Sequence, residues 1–137
     1  MESNSNRGDV TPAVVAANKQ AAQHFLELVT TGYIDQAYLQ YVASDGKHHN
    51  PFFQAGFPAL REAMIANEVE TPDKQFTVKH VLGDGDLVAV HSHIVLHPGE
   101  KGLAVVHLFR FQDDKIVEMW DIGQAVPEDS PNQDGMF

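Results

Sequence analysis

Residues 102–124, GLAVVHLFRFQDDKIVEMWDIGQ, alternate apolar and polar side chains on either side of the polar segment Asp113-Asp114-Lys115. Period-two alternation interrupted by a compact polar turn is the pattern of a β-hairpin. With a three-residue loop, Phe111 pairs with Val117, Phe109 with Met119 and His107 with Asp121. The same register sets Arg110 against Glu118 on the opposite face, a favourable cross-strand charge pair. The first face then holds an imidazole beside a carboxylate among Val105, Phe109, Val117 and Met119. A titratable pair on an apolar surface is what general acid–base chemistry requires.

Working upstream, Leu87–His97 reads as a long strand and Gln75–Leu82 as another, separated by the turn Gly83-Asp84-Gly85-Asp86. In Leu87–His97, the residues His91, His93 and His97 share a face with Leu87, Ala89 and Val95. A five-residue loop, Pro98–Gly102, would pair Val95 with Val105 and His93 with His107. The inward face would then carry His91, His93, His107 and Asp121, and the outward face Val88, Val90, Ile94, Val106, Leu108, Trp120 and Ile122. A one-residue slip would exchange the two. Both faces are largely apolar, so both need cover. Helices can cover only one in so small a domain, and the other is expected to pair with a second copy as a homodimer.

Before Thr71-Pro72-Asp73 the periodicity is helical. Thr11 offers an N-cap and Pro12 the first helical position, with Val14, Ala17, Ala21, Phe25, Leu28 and Val29 at helical spacing up to Gly32. A short helix over about Asp35–Val42 ends at Ser44-Asp45-Gly46. Asn50, before Pro51, is held extended. Pro58 opens a third helix to about Val69. Helices followed by four antiparallel strands predict an α+β domain with N-terminal helices packed on a curved antiparallel sheet. The expected organisation is a flexible leader at 1–9, one domain over 10–126 and a polar tail over 127–137.

The 137 residues, 43% of them hydrophobic, suit one domain with a real core. With no cysteine, disulfides, thiolate nucleophiles and cysteine–zinc sites are excluded. Nine Lys and Arg against 19 Asp and Glu give a net charge of -10 with no basic cluster, which argues against nucleic acid or an anionic membrane as partner. No apolar run approaches the roughly 20 residues of a membrane span, and Met1–Asp9 lacks the apolar region of a signal peptide. A cytoplasmic location is expected.

The motif His49-Asn50-Pro51, the turn Asp113–Val117, the run Glu118-Met119-Trp120-Asp121 followed by Gln124, and the ending Asn132–Phe137 resemble the SnoaL-like polyketide cyclases of the nuclear transport factor 2-like superfamily. The likeness runs from about Ala16 to Phe137 and is strongest to a bacterial branch of SnoaL-like aldol-condensation proteins. It implies a cone-shaped curved sheet and helices enclosing a deep pocket, commonly in a dimer. In the cyclases an aspartate on the last long strand is the general base, and a histidine on the preceding strand polarises the substrate. Asp121 and His107 fall on those positions. The chain departs from the family pattern at Val105, where the cyclases carry a polar residue, and at Met119, where the branch often carries histidine.

The resulting expectation is cofactor-independent cyclase or isomerase chemistry on a small hydrophobic carbonyl compound. Asp121 and His107 are the catalytic candidates; His93, His91, His49, Phe109, Met119 and Val105 are the substrate-binding ones. His48 is expected to face solvent. Two rival readings use the same residues. One is a binding protein that holds an apolar ligand without chemistry. The other is a metal-dependent protein using His91, His93 and His107, since imidazoles and a carboxylate on one sheet face can hold Zn²⁺ or Fe²⁺. The spacing His91-x-His93 is similar to a cupin metal motif, although the later glutamate and second glycine-rich motif of cupins are not recognisable.

Overall fold

The computed structural model describes residues 10–137; the leader expected at 1–9 lies outside the described residues. Helix α1 (Pro12–Thr30) starts where the side chain of Thr11 accepts a hydrogen bond from the Val14 amide, with proline inside the first turn. It buries Ala22, Phe25, Leu26 and Val29 along one stripe. Helix α2 (Ile34–Tyr41) follows Gly32, which takes a φ of +92° where a side chain would be strained. Helix α3 (Phe57–Glu70) buries Phe57 and Leu60.

Five strands form one sheet in the order β1-β5-β4-β3-β2. They are β1 (Val42–His48), β2 (Gln75–Asp84), β3 (Leu87–Val95), β4 (Leu103–Gln112) and β5 (Lys115–Ala125). The α+β architecture is as expected, with one strand more than the alternation announced. The segment read as a helix break, Ser44-Asp45-Gly46, lies within β1, which runs parallel to β5 at the sheet edge. Gly46 is required there, because a Cβ would stand 2.5 Å from the Val117 carbonyl and 2.6 Å from the Phe57 ring.

The β4–β5 hairpin pairs His107 with Asp121, Phe109 with Met119 and Arg110 with Glu118, as the sequence predicts. Its turn is tighter than the three-residue loop. Asp113 and Asp114 both have positive φ, Gln112 pairs with Lys115, and Phe111 pairs with Ile116 rather than Val117. The one-residue offset is absorbed by a bulge at Val117, which restores the register from Arg110 onwards.

The β3–β4 register differs more. Val90 pairs with His107, Ser92 with Val105 and Ile94 with Leu103, so His93 faces Ala104 rather than His107. β3 ends at Val95, and the long connection through Gly99 (φ +95°) and Gly102 (φ +83°) shifts the pairing by an odd number of residues. An odd shift exchanges the faces of β3. Val88, Val90 and Ser92 are therefore fully buried against the helices, and His91 and His93 lie on the opposite face. The two edges of β3 carry similar apolar content, so strand pattern alone does not choose between them. Helix cover does.

The core joins Phe25, Leu26, Tyr38, Phe57 and Leu60 of the helices to Val88, Val90, Phe109, Phe111, Ile116 and Met119 of the sheet. The helices cover this face alone. On the other, Val106, Leu108 and Trp120 are half-buried and Ile122 is 59% exposed.

Candidate active site

A cavity of about 670 Å³ opens between the sheet, the C-terminal part of α1 and α3. Its apolar wall includes Leu26, Val29, Phe53, Met64, Ile94, Leu103 and Val105, and its polar groups include Asn50, His107 and Asp121. His107 and Asp121 are directly opposed on β4 and β5, which sets their side chains beside each other on the covered face.

Asn50 supplies the contact that the sequence did not reveal. Its Nδ2 donates a 2.8 Å hydrogen bond to Oδ2 of Asp121. The backbone around it is fixed on both sides: the His49 amide donates to the Met119 carbonyl at 2.9 Å, and Asn50 Oδ1 accepts from the Phe52 amide at 2.9 Å. With Oδ2 engaged, Oδ1 of Asp121 is the oxygen left for a ligand. The available signals are its place in the His49-Asn50-Pro51 motif and an extended backbone imposed by the following proline.

His107 packs over Phe109, ring centroids 6.0 Å apart and nearly parallel. Burial pushes its pKa down to about 4, against the opposing pull of the Asp121 carboxylate. The ring is thus neutral near pH 7 and carries one N–H. Nδ1 is buried without a hydrogen-bond partner among the described residues, as is Oγ of Ser92 on the neighbouring strand. Nε2 is therefore the nitrogen that a molecule in the cavity can reach. Burial also raises the pKa of Tyr38 well above the ordinary phenol range; the nearby Arg61 charge opposes this and that of Asp121 adds to it.

Of the other residues expected at the site, Val105 lines the cavity. Phe109 and Met119 are buried in the core beneath it, at 0% and 5% exposure. His91 and His93 stand on the far side of the sheet, where Nε2 of His93 bonds the Lys101 carbonyl at 2.7 Å, so the histidines do not converge on one metal position. His49 also points away. It stacks on Trp120 with centroids 5.0 Å apart and bonds Glu118 at 2.6 Å, which holds the Glu118 carboxyl below its usual range. Glu118 also meets Arg110, as the hairpin register requires, and Arg110 is clasped in turn by Asp86 at 2.9 Å. His48, expected in solvent, is buried at 7% exposure and bonds the Gln54 carbonyl at 2.7 Å. His48 pairs with inward-facing Met119, so the parity of β1 places His48 inside and His49 outside.

The model of the SnoaL-like domain matches residues 22–119. The chain belongs to the SnoaL-like family. Its helices on a curved five-stranded sheet form the nuclear transport factor 2-like fold, shared with several solved structures. A SnoaL-like protein of unknown function from Burkholderia thailandensis superposes with a TM-score of 0.69 at 17% identity, covering 85% of this chain and 98% of that one. A proposed ketosteroid isomerase from Kribbella flavida superposes at 0.68 and 20% identity, covering 87% and 86%. AclR, a proposed hydroxylase from Streptomyces galilaeus, superposes at 0.68 and 19% identity, covering 80% and 90%. Comparison with curated proteins found no match. Within this SnoaL-like chain, no helix among the described residues is long and apolar enough to cross a membrane.

Proposed function

We propose that this SnoaL-like protein catalyses proton transfer at a carbon next to a carbonyl group, on a small hydrophobic substrate and without a cofactor. The observation that carries this reading is the carboxylate of Asp121 in a mostly apolar cavity, oriented by Asn50 and set beside a neutral imidazole. Oδ1 of Asp121 takes the α-proton and leaves an enolate. His107 donates a hydrogen bond from Nε2–H to the enolate oxygen and keeps its proton, so the buried ring stays neutral throughout. Two outcomes conserve the atoms. Asp121 returns the proton at another carbon, as in isomerisation, or the enolate carbon adds to a second carbonyl of the same molecule and Asp121 protonates the new alkoxide, as in aldol ring closure. A cavity of about 670 Å³ is in the range that encloses a small polycyclic or extended ligand.

The test is exchange of α-protons of an enolisable bicyclic ketone such as 2-tetralone into deuterated water. Exchange accelerated by the wild type and not by Asp121→Asn supports the reading. Equal rates with both proteins, or tight retention of an unaltered ligand by both, would replace it with a binding role. The reading also includes a homodimer through the outer sheet face, because exposed Ile122 and half-buried Val106, Leu108 and Trp120 have no helix over them.

A further inference from the structure

Strand β2 departs from regular pairing at one point. Its ladder with β3 runs from Gln75↔Val95 to Val78↔Ser92 and resumes at His80↔His91, with Lys79 as the extra residue. In an unbroken ladder Lys79 would oppose His91, and His80 would oppose Val90 and point under the helices. The bulge turns His80 onto the outer face, directly across from His91; re-aiming a side chain is what such bulges do. The two rings lie in nearly parallel planes (2°), centroids 5.2 Å apart, and their Nδ1 atoms approach to 3.0 Å.

We propose that His80 and His91 form a binding site for a borderline divalent transition-metal cation, Cu²⁺ before Ni²⁺ or Zn²⁺, on the face of the sheet opposite the cavity. Two imidazole nitrogens bonded to one metal at about 2.0–2.1 Å, with a bond angle near 90–110°, stand roughly 2.9–3.4 Å apart. The Nδ1 separation already falls in that range, and rotation of the two rings turns their nitrogens, which face each other in the metal-free protein, towards one metal. In the metal-free protein a single N–H shared between the rings satisfies both nitrogens, and metal binding displaces that proton. Phe137 stacks on His91 at 5.9 Å and steadies its ring, and His93 is engaged by the Lys101 carbonyl. No group of three His, Asp or Glu is gathered for a metal among the described residues, so water completes the shell. A two-imidazole site of this kind favours Cu²⁺ by the usual order of divalent affinities.

The experiment is Cu²⁺ titration of the full chain, followed by calorimetry and by electron paramagnetic resonance. The expected result is one Cu²⁺ per chain, with nitrogen hyperfine structure from two imidazoles. Binding should weaken at least tenfold in His80→Gln and in His91→Gln, both near the surface and checked for folding by circular dichroism. It should be unchanged in His107→Gln on the other side of the sheet. No saturable uptake, uptake that survives both single substitutions, or uptake lost in His107→Gln would overturn the assignment.

Discussion

His107 makes stability depend on pH in a way that can be worked out from its burial. Its folded pKa of about 4 lies below the ordinary 6.5, so the unfolded chain takes up the proton first as the pH falls. Stability contributed by the neutral ring is fully present above pH 6.5, declines as the pH falls towards 4 and is constant below that. The full shift corresponds to about 3 kcal/mol at 1.36 kcal/mol per unit, of which about 2 kcal/mol is lost by about pH 5. That is a sizeable part of the roughly 5–15 kcal/mol that keeps a domain folded. The assay is urea unfolding of wild type and His107→Gln at several values between about pH 7.5 and 5. Groups remote from His107 contribute equally to both proteins and cancel in the difference. The wild type should lose about 2 kcal/mol relative to the variant across this range, with equal slopes against urea. A difference that stays constant, or moves in favour of the wild type on acidification, would refute the assignment of a buried neutral imidazole.

Replacing Asn50 with Ala removes one charge-assisted hydrogen bond from Asp121; at about 1.5–3 kcal/mol for such a bond, the exchange rate should fall roughly tenfold or more with a smaller change in KM. Phe109→Ala, at a fully buried position between His107 and Phe25, should cost about 3–5 kcal/mol in denaturant unfolding. Gly102→Ala should destabilise by at least about 2 kcal/mol, because φ is +83° and a Cβ would stand 2.3 Å from the Ile94 carbonyl. Ile122→Glu should convert a dimer into a monomer in light scattering while circular dichroism is unchanged; a wild-type monomer would remove the outer face as an interface.

The hairpin was legible because local chemistry and global packing agree there. Alternation sets the faces, the Asp-Asp turn sets the return, and the Arg110–Glu118 pair confirms the register on the opposite side. Even the misread loop length cost nothing beyond Phe111, since the bulge at Val117 cancels it. β3 was not legible in the same way. Its histidines alternate with Val88, Val90 and Ile94, either edge could face a core, and the choice is made by a distant helix and a glycine-bearing connection. β1 was hidden for a related reason: an edge strand in parallel pairing, with Ser44, Asp45 and Lys47 exposed, has no apolar alternation to announce it. The sequence marks Asn50 as the residue before proline and as the centre of the His49-Asn50-Pro51 motif, but not as a partner of Asp121. Its contact with Asp121 joins positions 71 residues apart and depends on β1 lying beside β5, a pairing that the strand pattern did not contain.

The central claim is that Asp121 removes a proton from carbon while His107 stabilises the resulting oxyanion. The most direct measurement follows α-deuteration of 2-tetralone by NMR in wild type, Asp121→Asn and His107→Gln, with ligand affinity read from the same spectra. The account predicts that Asp121→Asn loses about 10²–10⁴-fold in exchange rate, the usual contribution of a positioned general base, with affinity little changed. His107→Gln should retain part of the rate, because an amide can still donate one hydrogen bond. Exchange by Asp121→Asn at the wild-type rate, with the ketone bound equally well, would contradict it.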